Sequence, residues 1–182
     1  GAGYGDFVRG HENFRAVAVV GTGDIKKGLE ALTTELERVN KFGFTASELD
    51  RAKKSILNSI ERSYNNRDKT ESQIWIDEYV RNFLTGEVIP GIEKEFGLVK
   101  DLIPGISLEE LNTTARNALS NDNQLVYVTG PEADANASLP APADLLAIVH
   151  SAASKNITAY EEKAVASSLP AATPRAGKVI KK

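Results

Sequence analysis

The sequence predicts a helix-rich α+β fold whose few strands belong to an antiparallel sheet. Three observations carry that prediction. Apolar residues recur at spacings of three and four through most of residues 25–119. Two capping boxes, Thr45-Ala46-Ser47-Glu48 and Ser107-Leu108-Glu109-Glu110, mark helix starts. Two β-type runs, FRAVAVV at 14–20 and QLVYVT at 124–129, lie on either side of the helices.

In chain order, residues 1–13 are Gly-rich and polar, and read as a loop or a short edge strand. Phe14 to Val20 is a strand with apolar residues on both faces, which predicts cover on both sides. Gly21-Thr22-Gly23 ends it. Asp24 is placed to cap a helix through its carboxylate. Ile25, Leu29, Leu32, Leu36 and Val39 form that helix's apolar stripe, and Gly43 stops it. The first capping box then opens a helix with Leu49, Ala52, Ile56, Ile60 and Tyr64 on one face. Asn65-Asn66-Arg67-Asp68 bends or breaks the run.

A third helix is expected over 70–85, with Ile76, Val80, Phe83 and Leu84 on one face and Trp75 and Tyr79 beside them. A turn at 85–91 contains Gly86 and Pro90. A short helix follows at 92–102. The second capping box opens another, with Leu108, Leu111, Ala115 and Leu119 inward. Gln124 to Thr129 is expected to be a strand, ended by Gly130-Pro131. Beyond 131 the composition shifts to Ala, Ser, Pro and Asn, with one helix expected at about 142–153. Residues 167–182 have two prolines and no apolar period, and read as an extended linker.

Composition narrows the function. The 182 residues are 41% hydrophobic and 26% charged, the balance of a globular protein. A net charge of −3 without a basic patch argues against nucleic-acid binding. The absence of cysteine removes disulfides and thiolate metal sites. No apolar run is long enough to span a bilayer, so membrane insertion is not expected. The Gly1-Ala2-Gly3 start and the lack of any Met suggest a piece of a longer polypeptide. Lack of Cys weakly favours a periplasmic or secreted setting.

Candidate chemistry is thin. His11-Glu12 invites a zinc-peptidase reading, but H-E-x-x-H needs a second His where Arg15 stands. The inverted H-x-x-E-H fails at Phe14 and Arg15. His150 has no acidic companion at a ligand spacing. Gly21-Thr22-Gly23 resembles a nucleotide loop, yet the third glycine of the dinucleotide pattern falls on Lys26. Asp24 would also repel an anion at that helix start. Glu109-Glu110 and Glu161-Glu162 are sequence neighbours, which do not face one another on a helix. No G-x-S-x-G is present. The residues alone give an α+β unit with no catalytic set and no metal site.

The phrase FGFTASELDRAK resembles the G-F-T-x-x-E-L-x-x-A-K signature of insulinase/pitrilysin-type zinc peptidases, through Gly43, Phe44, Thr45, Glu48, Leu49, Ala52 and Lys53. RDKTES, FLTGEVIPGIEKEF and SLEELN followed by NQLVYVTGP are similar to the same family in the same order. The resemblance implies a metallopeptidase-like α/β domain, here the C-terminal portion of the second domain over 1–131. A helical extension at 132–166 and a linker toward the next domain at 167–182 would follow. It implies zinc in the first domain of the parent protein and no cofactor in this chain. The parent is expected to be a zinc metalloendopeptidase, and this chain alone inactive.

The partners implied are the remaining domains and a peptide substrate. The Gly-rich first segment, with Gly3, Tyr4, Gly5 and Phe7, is the implied peptide-binding edge. A rival expectation is a scaffold or processing-partner subunit of the same fold without peptidase activity. A third is an independent helical interaction module that folds alone.

Overall fold

The computed structural model describes residues 1–8, 10–21, 23–119, 123–130, 139–162 and 177. It is helix-rich, with a two-stranded antiparallel sheet. The chain order is β1 (Ala2–Val8), β2 (His11–Ala16), α1 (Ile25–Phe42), α2 (Ala46–Asn65), α3 (Ser72–Thr85), α4 (Ile92–Leu102), α5 (Leu108–Ala118) and α6 (Pro142–Ala152). Short 3-10 turns at Arg67–Lys69 and Ile103–Gly105 follow α2 and α4.

The strands are placed differently from the sequence expectation. Residues 1–13 hold all of β1 and the start of β2, because the ladder is set by antiparallel pairing of Ala2 with Ala16, Tyr4 with Phe14 and Gly5 with Asn13. The ladder extends to a Gly1–Val17 pair of hydrogen bonds at 2.8 Å, and Ala18 to Val20 continue unpaired. Val19 is exposed, so the expected cover on both sides is absent. Residues 124–129 form no helix, and among the described residues they belong to no ladder.

Helix α1 begins at Ile25 with Asp24 in the cap position, yet the Asp24 side chain accepts no capping bond. Its predicted stripe of Ile25, Leu29, Leu32, Leu36 and Val39 is half-buried throughout. Gly28 lies on the same helix. A methyl group there would come within 2.4 Å of Val20 Cγ1, so glycine lets the end of the first β-type run press onto α1.

The α1–α2 corner explains the FGFT phrase locally. Gly43 has φ 72°, a left-handed conformation that favours glycine. Thr45 Oγ1 accepts from the Glu48 amide, and Glu48 Oε2 accepts from the Thr45 amide at 2.8 Å. Asn112 on α5 reads the backbone of Phe44 in both directions. Its Oδ1 accepts from Phe44 N at 2.7 Å, and its Nδ2 donates to Phe44 O at 3.3 Å. The Ser107–Glu110 box opens α5 in the same way as Thr45–Glu48 opens α2. Hydrogen bonds from the Ser107 amide and hydroxyl hold the Glu110 carboxyl below its ordinary range.

Helices α1, α5 and α6 pack together, and α2 packs on α4. Tyr64 of α2 stacks on Phe96 of α4 with ring centroids 4.5 Å apart, and the Arg67 guanidinium lies over the Tyr64 ring, 4.5 Å from its centroid. Among the described residues the buried side chains are Thr33, Leu145, Ala152 and Ile157. All four lie where α1 meets α6 and the segment after it. The face of α3 expected to turn inward is exposed at Ile76, Val80, Phe83 and Leu84. Its apolar arc has no extensive partner among the described elements.

Candidate peptide-binding edge

The β1–β2 ribbon arises from alternation and glycine. Gly3 and Gly5 fall on one face of β1 and Tyr4 on the other. A methyl group at either glycine would meet no atom within 4 Å. The backbone of β1 is therefore bare on that face. On the opposite face Tyr4 pairs across the ladder with Phe14, and its hydroxyl donates to Glu12 Oε2 at 2.6 Å. This diagonal tie fixes the ring while leaving Tyr4 56% exposed. Phe7 lies in β1 at a break in register between Asp6 and Val8. Among the described residues, β1 pairs with β2 on one side and with no strand on the other.

Gly3, Tyr4, Gly5 and Phe7 are thus brought onto one short strand with an open pairing edge. Its chemistry is that of main-chain recognition: an extended peptide pairs with the free edge, and glycine allows close approach.

The other candidates do not form a reaction centre. His11 opens β2 and is exposed, and its neighbour Glu12 is engaged by Tyr4. His150 lies in the last turn of α6. Among the described residues, no three His, Asp or Glu side chains gather to hold a metal ion. Among the described residues the donor set therefore does not fit zinc. Lys26, two residues after Asp24, pairs with Asp144 at 2.7 Å. Glu161 and Glu162 likewise do not act as a pair. Glu162 is held by Arg51, and a hydrogen bond from Ser47, with help from Arg51, keeps its carboxyl below the ordinary range.

An open hollow of about 510 Å³ lies beside α1, lined by Glu35, Arg38 and residues 158–161. The Arg38 guanidinium that borders it is occupied by Glu35 and the Thr158 carbonyl. Two positioning residues escaped the sequence reasoning. Glu12 is one, because its tie to Tyr4 depends on strand register. Asn112 is the other, and an Asn inside a helix, where its propensity is poor, is the signal that could have found it.

The fold and its edge define a helix-rich α+β unit with a bare backbone strand and, among the described residues, no hydrolytic centre. Comparison with known proteins puts that unit in context. No protein-family model matches the chain. Over 75 residues, 41% of its length, the chain is 36% identical to a PQQL-like zinc protease of Arabidopsis thaliana, a match that spans 8% of that protein.

Two crystal structures of the periplasmic protease PqqL from Escherichia coli share the fold. The first half of that protein aligns with a TM-score of 0.59 and 19% identity, over 76% of this chain and 30% of the other. The longer PqqL structure aligns with a TM-score of 0.60 and 23% identity, over 81% of this chain and 16% of the other. The chain is therefore similar to part of a zinc protease-like protein and spans a small fraction of the relatives it matches. No described helix is long and apolar enough to cross a membrane.

Proposed function

We propose that this chain is a non-catalytic portion of an insulinase/pitrilysin-type zinc endopeptidase, and that it helps enclose and position a peptide substrate. We assign residues 1–131 to the C-terminal part of the second domain, 132–166 to a helical extension and 167–182 to the link onward. Residues 9, 22, 120–122, 131–138, 163–176 and 178–182 of that division lie outside the described residues. Zinc and its ligands belong to the first domain, outside this chain. The longer protein works in the periplasm or outside the cell, as its structural neighbours from the bacterial periplasm suggest.

One observation carries the positioning role: β1 offers a glycine-bared edge that can take up an extended peptide by backbone pairing. Gly3, Tyr4, Gly5 and Phe7 are the contact residues. The test uses the longer protein and a peptide substrate carrying a photoreactive group near its N-terminal end. Labelling is expected on residues 1–7. In addition, Gly3→Val and Gly5→Val add bulk into open space. They should raise KM by about tenfold with kcat little changed, the pattern of lost uniform binding. Labelling confined to other parts of the protein would remove the anchor role. A longer protein that neither binds zinc nor cleaves peptides would support the scaffold alternative instead.

A further inference from the structure

The β1–β2 ladder places an uncommitted cation beside the bare glycines. Residues paired across an antiparallel ladder share a face. Gly3 pairs with Arg15, and Gly5 pairs with Asn13. On the glycine face, β2 therefore presents Arg15 and Asn13 opposite positions of β1 that carry no side chain. Both residues are exposed. Neither side chain has a hydrogen bond or ion pair among the described residues.

The hydrogen-bond phase of the ladder decides which main-chain groups face outward. Gly1 and Val17 exchange both bonds at 2.8 Å. The phase alternates along the strand, so Gly3 and Gly5 direct their groups to β2, and Ala2 and Tyr4 direct theirs to the open edge. A peptide added antiparallel at that edge exchanges bonds with Ala2 and Tyr4. Its residue beside Gly3 is then a non-hydrogen-bonded partner, about 4.5 Å away between Cα atoms. Arg15 lies about 5.5 Å beyond Gly3 on the same face. No Cβ stands between them, and the space above Gly3 is open.

We infer that Arg15 selects an acidic residue in the bound peptide, by reaching across Gly3 to pair with its carboxylate. Long side chains already meet between diagonal neighbours of a sheet, and the glycine gap leaves this path clear. The guanidinium fork matches a carboxylate. The adjacent peptide residue falls on the other face, beside Tyr4. There it extends the Tyr4–Phe14 row, which an aromatic or β-branched side chain fits. The ligand class is an extended peptide with an acidic residue next to an apolar one. The inference rests on the peptide edge proposed above and adds a charge rule to it.

Binding of short fluorescent Thr-rich peptides to the longer protein tests it, with a chelator present so that nothing is cleaved. Each peptide carries one Phe next to a Glu, a Gln or a Lys. The Glu peptide should bind about threefold to tenfold more tightly than the Gln peptide, and the Lys peptide most weakly. That advantage should shrink as salt rises. Arg15→Gln should make the Glu and Gln peptides equal, and Arg15→Lys should keep the preference. Arg15→Glu should favour the Lys peptide, an inversion that a merely structural role would not produce.

Equal binding of the Glu and Gln peptides by the wild type would overturn the inference, whatever the variants do. So would an acid preference that survives Arg15→Gln. Photolabelling of residues 1–7 reads the edge separately. Labelling there without an acid preference removes the charge rule and leaves the edge, whereas labelling confined to other parts of the protein removes both.

Discussion

Helices α1 and α3 are both amphipathic, but among the described elements only α1 of the two has an extensive partner. The stripe of α1 is half-buried beneath α5 and α6, and Thr33 on the same helix is buried with its hydroxyl donating to the Leu29 carbonyl at 2.9 Å. The stripe of α3 carries Trp75, Tyr79 and Phe83 at four-residue spacing, exposed at 37%, 57% and 82%. The difference teaches that amphipathic periodicity fixes which face of a helix seeks cover without saying what covers it. Burial of apolar surface contributes roughly 25 cal/mol per Å². By that measure, apolar burial among the described residues is concentrated where α1 meets α6 and the segment after it, while the arc of α3 contributes little.

The largest break in that comparison is expected at Leu145, the buried anchor of α6. Leu145→Ala should cost about 2–5 kcal/mol, the range for a large-to-small change in a packed site, read from urea unfolding. Next is Asn112→Ala. It leaves the Phe44 amide and carbonyl at the α1–α2 corner without their partner and should cost about 1–3 kcal/mol. A loss well below that range would mean water replaces the Asn112 amide. The smallest effect is expected on α3. Phe83 is 82% exposed, so Phe83→Ser should change stability by less than about 0.5 kcal/mol. A large loss there would show that α3 is packed in solution and would dissolve the contrast with α1.

The legible parts of the fold were the local ones. Both capping boxes lie where the sequence puts them, because an oxygen and an amide three residues apart need nothing distant to meet. Gly43 was legible as a stop for the same reason. Strand pairing was not, since register depends on which residues face each other across a turn. FRAVAVV was therefore read as one buried strand, whereas the ladder takes only its first residues and pairs them with the Gly-rich segment.

The stripe expected on α2 was also shifted. Lys53 and Leu57 are half-buried there while Ala52 and Ile56 are exposed, because α4 packs against a slightly rotated face. Of the candidate site, composition disclosed the bare glycines but not the Tyr4–Glu12 tie, which spans eight residues and exists only once the register is set.

The segment that follows α6 carries one more consequence. Lys41 donates to the Ala153 carbonyl, Arg38 to the Thr158 carbonyl, and Arg51 pairs with Glu162. These ties join positions 112, 120 and 111 residues apart in the sequence. Topologically they close the chain into a ring, with α2 to α6 forming its arc. The entropy lost in closing a ring grows only with the logarithm of its length, about 0.6 kcal/mol for each doubling. By closure entropy alone, a flexible loop between the helices of the arc can therefore lengthen at little thermodynamic cost.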